Sequence, residues 1–141
     1  MNFKLSQTQL YFLGILVMVI LGLSLLLFQK KEFSKLMIKS RYTVGYIFEL
    51  DKNPRRENQF RYYFNNNNNN EYKREIASNK SDNLFVGKRY FVIFEEGNPS
   101  NSMLIPFVFV PDSIIEAPKD GWLEPPIPID KNEIKKFLEN Y

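Results

Sequence analysis

The chain has 141 residues, no histidine, no cysteine and a formal net charge of +3. Without cysteine there is no disulfide, thiolate metal site, cysteine nucleophile or acylated lipid anchor, and without histidine the commonest acid–base group is missing too. The positive charge does not mark a nucleic-acid surface. Residues 30–41 hold five Lys/Arg against one Glu, whereas residues 42–141 hold 13 Lys/Arg against 15 Asp/Glu. Phosphate tracking needs a concentrated basic patch on the domain itself, so nucleic acid is not an expected partner.

In chain order, residues 1–9 are a short polar tail with Lys4 as its only charged side chain. Residues 10–28, LYFLGILVMVILGLSLLLF, carry no charge, and the uncharged run extends from Leu5 to Gln29. Nineteen helical residues rise about 28 Å, close to the roughly 30 Å hydrocarbon core of a bilayer. A single transmembrane helix is therefore predicted. It exceeds the apolar core of a cleavable signal, and no small-residue cleavage site follows it. Gly14 and Gly22 are eight apart and do not make a small-xxx-small packing motif. Ser24 can satisfy itself by bonding back to its own helix.

Residues 29–41 form a basic juxtamembrane segment. Phe33, Leu36 and Met37 give a narrow apolar stripe at helical spacing, with Lys31, Lys35 and Lys39 on another face. Either this helix lies along lipid headgroups, with Lys30, Lys31, Lys35, Lys39 and Arg41 as a membrane-surface set, or it is an ordinary charged stop after a span. Lys and Arg favour the cytoplasmic side. Five here against Lys4 alone predict a single-pass membrane protein with its domain in the cytoplasm.

From residue 42 to 110 the period becomes two, which predicts a small, mainly antiparallel β domain, barrel-like or sandwich-like. TVGYIFEL places Val44, Tyr46, Phe48 and Leu50 on one face and Thr43, Gly45, Ile47 and Glu49 on the other. A polar turn around Asn53-Pro54 leads to FRYYF. EYKREIA then alternates Tyr72, Arg74 and Ile76 against Glu71, Lys73 and Glu75, so the two form a hairpin with Asn65–Asn70 as an inert loop. SNKSDN is a further loop, where Asn79-Lys80-Ser81 is formally a glycosylation triplet. After a turn at Gly87-Lys88, Arg89–Glu95 is apolar on both faces and should be central. EGNPSNS reads as a tight turn, and MLIPFVFV as a last strand that Pro106 confines to an edge or a bulge.

Residues 111–141 are a proline-rich tail and a short C-terminal helix, with Asp130 as its cap and Glu133 at the capping-box position. Trp122, Ile127, Ile129 and the apolar helix face Ile134, Phe137 and Leu138 would form an exposed patch if the tail were free. Docking on the open face of the sheet removes that patch. The tail is therefore expected to be part of the domain.

Taken together, Val44-Gly45-Tyr46, Tyr62-x-Phe64, Val86-Gly87-x-x-Tyr90-x-Val92 and Asn98-Pro99-x-x-Ser102 follow a recognisable order. It resembles a family of short bacterial membrane-anchored proteins to which no activity is assigned. The resemblance spans roughly residues 43–105 and implies a small antiparallel β domain. The asparagine run and the proline-rich end depart from it.

Candidate chemistry is sparse. Glu95-Glu96, Asp112, Glu116, Asp120 and Glu124 are the carboxylates to consider, but adjacent strand residues face opposite ways and do not share a site. No catalytic, cofactor-binding or metal residues are assigned, and an enzyme is not expected. The high aromatic content has two readings, a base-stacking sheet or a core, and the acidic domain charge favours core. The functional expectation is a membrane-tethered interaction module with a protein partner, an accessory factor or subunit of an envelope complex. The alternative is a domain that binds a lipid surface or a small ligand.

Overall fold

The computed structural model describes residues 6–53, 55, 57–67, 69–77 and 84–140, the side chains of Gln29, Lys30, Glu32 and Phe33 excepted. Residues 78–83, where a loop with the glycosylation triplet was expected, Lys4, Pro54 and the side chains of Lys30 and Phe33 lie outside that description. Two compact units divide the chain, Met1–Ser34 and Lys35–Tyr141.

The first unit is most of helix α1, Gln7–Ile38. Ser6 starts it with a reciprocal cap. The Gln9 N–H donates to Ser6 Oγ at 3.4 Å, and the Ser6 N–H donates to Gln9 Oε1 at 2.9 Å, which satisfies two donors that a helix start leaves open. Residues Gln7–Phe28 are apolar all round, with none of them buried, and are long enough to cross a membrane. Ser24 donates back to the Leu21 carbonyl at 2.8 Å, so it adds no polar cost along the apolar run.

In the second unit, α1 ends at Ile38 and only Lys39 precedes β1, Ser40–Asp51. There follow β2, Gln59–Asn66; β3, Asn69–Ile76; β4, Arg89–Glu95; β5, Asn98–Phe109; and α2, Lys131–Glu139. Every neighbouring pair is antiparallel in the order β3-β2-β1-β4-β5, and the sheet curls into a half-barrel. The fold is thus an N-terminal apolar helix, a small antiparallel β domain and a short C-terminal helix. β1 is the middle strand and β4 lies between β1 and β5, which is why both faces of β4 are apolar.

The concave face holds the core: Ile47, Phe60, Tyr62, Phe64, Leu84, Tyr90, Val92, Phe94 and Leu104. Tyr62 stacks between Phe60 and Phe64, at ring separations of 5.9 and 6.3 Å. Gly45 is opposite Phe64 and Tyr90, and a Cβ there would stand 2.5 Å from Val92 Cγ2. Only glycine lets Val92 and Tyr62 meet across β1. Half of the residues that carry the family-like pattern (Gly45, Tyr62, Phe64, Tyr90, Val92 and Ser102) are buried and line this interior, so they shape the fold.

Three boundaries differ from the sequence reading. First, the β1–β2 register shifts between Ile47 and Glu49. This bulge leaves Val44, Tyr46 and Phe48 on the convex face but moves Leu50 to the core side, where it packs against the concave cluster; Glu49 takes its place outside. Strict alternation cannot anticipate an extra residue. Second, the asparagine run is mostly strand: Asn65 pairs with Asn70 and Asn66 with Asn69. Asn67 takes a φ of 50°, a left-handed conformation asparagine accepts readily. Third, the β4–β5 turn is only Glu96-Gly97, since Glu95 already pairs with Asn98; Gly97 supplies a φ of 82°. Pro106 sits in edge strand β5, within the three residues that separate Ile105 and Phe109, the partners of Phe91 and Tyr90.

Candidate functional site

The convex face is built from two unlike halves. On the β4–β5 side it carries Phe91, Ile93, Met103 and Ile105, all buried. Phe137 of α2 meets Phe107 edge-on at 5.6 Å, and Ile134, Phe137 and Leu138 are buried. Asp130 caps α2 by accepting from the Asn132 N–H at 2.8 Å.

The tail reaches this position through two anchors. Arg89, first in β4, donates to the carbonyls of Ile114 at 2.6 Å and Pro111 at 3.2 Å and pairs with Asp112 at 3.4 Å. Further on, Trp122 forms a two-way backbone bridge with Tyr42, both bonds 2.8 Å, on the stretch of β1 that β2 does not reach. The Trp122 ring meets Phe91 at 6.2 Å, and Trp122, Ile127 and Ile129 are each half-buried. Gly121 makes the bridge possible: its φ is 72°, and a Cβ would lie 2.6 Å from the Tyr42 carbonyl oxygen. Between the anchors the strap also contacts the hairpin tip, where the Asn67 N–H donates to the Lys119 carbonyl at 3.1 Å. The asparagine turn is therefore a tail contact and not an inert loop.

The β1–β2–β3 half is different. Register places Tyr46 opposite Tyr63 and Tyr63 opposite Tyr72. The three rings form a row, with centroids 5.2 and 5.8 Å apart. Phe48, pushed outward at the bulge, touches Tyr63 and Tyr72 at 6.2 and 6.1 Å. Tyr72 is 66% exposed and Phe48 43%, and no helix or strap covers them among the described residues. Arg61 and Glu49 pair beside the row at 2.9 Å. Where the row meets the strap, Thr43, Val44, Tyr46, Tyr63, Asn70 and Lys119 help line a cavity of about 530 Å³.

The basic set expected at a membrane surface is Lys30, Lys31, Lys35, Lys39 and Arg41. Lys31 and Lys39 are exposed and Lys35 is half-buried. Arg41 lies within β1 and pairs with Glu96 at 2.6 Å, while its buried Nε has no partner among the described residues. Lys39 lies beyond the helix and its carbonyl accepts from the Glu96 N–H at 2.8 Å.

The carboxylates do not converge. Glu95 accepts from Asn101 at 2.9 Å, Glu96 is held by Arg41, Asp112 by Arg89 and Glu124 by Lys131 at 2.7 Å. The Lys131 hydrogen bond lowers the Glu124 pKa and in return raises that of Lys131. Burial raises the pKa of Tyr42, against the opposing effects of a Ser40 hydrogen bond and the Lys131 charge. It also raises that of Tyr90, whose oxygen accepts from the Phe85 N–H at 3.1 Å. Among the described residues no group of three or more Asp/Glu side chains is placed to hold a metal ion.

Comparison with protein-family models, with curated proteins and with solved structures gives no significant match. The functional residues that sequence reasoning missed are Arg89, Gly121 and the Phe48 bulge. Arg89 and Gly121 carry no local signal because their partners are about 20 or more residues away in sequence. Alternation places Phe48 on one face with Val44, Tyr46 and Leu50, and does not show that a bulge separates it from Leu50.

Proposed function

We propose that this protein is a membrane-tethered, non-enzymatic β interaction module, an accessory factor or subunit of an envelope-associated complex. The observation that carries this reading is the aromatic row Tyr46, Phe48, Tyr63 and Tyr72, whose outer members Phe48 and Tyr72 are exposed. An exposed aromatic cluster on a sheet whose other half is covered by the chain's own tail marks an interface more than a fold requirement. In this reading residues 10–28 span the bacterial cytoplasmic membrane, the basic residues 30–41 hold the domain on the cytoplasmic side, and the chain is a member of the membrane-anchored family its β strands resemble. The partner is a protein, with lipid as the second contact.

The test is affinity capture of the tagged full chain from detergent-solubilised membranes, beside Phe48→Ser/Tyr72→Ser. One stoichiometric protein captured by the wild type and lost with the double variant supports the reading. Equal capture by both contradicts it. The cavity beside Tyr46 and Tyr63 favours a second reading, a small-ligand or lipid-binding domain. A lipid or small molecule that co-purifies with the full chain and is lost when Tyr46 and Tyr63 are changed to Ala would put that reading first.

A further inference from the structure

Five strands that alternate in direction leave the two outer strands parallel to each other. Here those strands are β3 and β5, and the curl of the sheet brings their edges together across the core. No ladder joins them; the order remains open at β3 and β5. Side chains span the seam instead. Lys73 donates to the Ser100 carbonyl at 2.5 Å. Glu75 receives the Tyr62 hydroxyl and, at 3.4 Å, the backbone N–H of Leu104. That N–H is an edge donor of β5 that finds a carboxylate where a closed barrel would offer a strand.

Between these two bridges lies Ser102, opposite Phe94 and on the core side. Ser102 is 9% exposed, and its hydroxyl has no hydrogen-bond partner among the described residues. Buried hydroxyls are rarely left so. The seam thus combines two strand edges, an orphan polar group and inward charges, all at one place.

We propose that the β3–β5 seam is a strand-acceptor site. An extended segment of a partner polypeptide inserts antiparallel to both β3 and β5 and completes a six-stranded, all-antiparallel barrel. An even strand count closes with no parallel pair, and the incoming backbone takes over the Leu104 N–H and the Ser100 carbonyl, as in other strand-addition complexes. Glu71, Lys73 and Glu75 point inward from β3 with a net negative charge. The inserted strand therefore carries alternate apolar residues and a Lys or Arg facing Glu75. The proposal rests on the reading of the domain as an interaction module but uses the backbone edge and core-side residues of β3, where the Phe48–Tyr72 row uses its opposite face.

The probe is a displayed library of random twelve-residue peptides, panned on the full chain in lipid nanodiscs and counter-selected on empty discs. Because the chain has no cysteine, Lys73→Cys/Ser100→Cys can be joined by a short bis-maleimide that shuts the seam. Expected are enriched peptides with alternating apolar residues and a basic residue, at least tenfold weaker on the bridged protein than on the unbridged double variant. Bound peptide should also slow hydrogen exchange at Leu104. Failure to enrich any peptide, or equal binding to bridged and unbridged protein, overturns the proposal. Peptides indifferent to the bridge but lost with Phe48→Ser/Tyr72→Ser would overturn the seam while leaving the interaction module standing.

Discussion

One sheet presents two convex half-faces, and they are treated in opposite ways. The β4–β5 half is closed by a tail that Arg89 and the Tyr42–Trp122 bridge direct onto it, so its aromatic rings are core. The β1–β2–β3 half carries rings in a regular row that the strap reaches only at its Tyr46–Tyr63 end, and Phe48 and Tyr72 receive no cover among the described residues. Aromatic content alone therefore says nothing about role; the path of the tail decides it. Where the strap crosses, Phe91 is buried, and beyond it Tyr72 is exposed.

The sharpest way to break this contrast is to truncate matched rings. Phe137→Ala, on the covered half, is expected to cost about 3–5 kcal/mol. Tyr72→Ala, on the bare half, should stay within about 0.5 kcal/mol, as for surface changes generally. Urea unfolding of the full chain in detergent, followed by Trp122 fluorescence, measures both. Equal losses would mean that the two halves are equally packed.

Gly121→Ala comes next. A left-handed φ and a Cβ against the Tyr42 carbonyl oppose the substitution together, and about 1–3 kcal/mol is expected. The change should also free the tail, seen as a red shift and greater quenching of Trp122. Gly45→Ala should lose a similar amount through Val92 without altering Trp122, which separates tail release from core strain.

A smaller effect is expected with pH. Tyr42 and Tyr90 have folded pKa values above 10.0. The stability this represents is complete below that value and is lost as pH rises through the folded pKa values, because the unfolded chain ionises first. Melting temperatures should fall above pH 10, and less steeply in Tyr42→Phe. The exposed Glu124–Lys131 pair works at both ends of the scale. Its Glu124 part is lost below pH 4.5 and its Lys131 part above 10.5, both weakly because solvent screens the pair. The smallest change is Asn67→Gly, which keeps the backbone bond to Lys119 and relaxes a left-handed residue. It should be neutral or stabilise by a few tenths of a kcal/mol.

Much of this architecture was legible because it is local. Alternation located the strands, Pro106 marked the edge, and Asp130 with Ile134, Phe137 and Leu138 marked the last helix. The errors share one physical cause, since each depends on a partner distant in sequence. The bulge at Phe48 is set by β2, and the asparagines became strand because they continue the ladder already formed by Phe64 and Glu71. The pairing of Arg41 with Glu96, 55 residues away, is likewise invisible to any local pattern. The aromatic row has the same origin: Tyr46, Tyr63 and Tyr72 align only once the register of three strands is known.

The central claim, that the bare half-face is covered in the membrane by something other than this chain, is open to one direct measurement. A lone cysteine is introduced by Tyr72→Cys, and in a control by Ile115→Cys on the exposed strap. Maleimide labelling rates are compared in native membranes opened to both sides and in purified protein. The account predicts that position 72 is shielded in membranes and reactive after purification, while position 115 reacts at the same rate in both. Equal reactivity at position 72 before and after purification would contradict it.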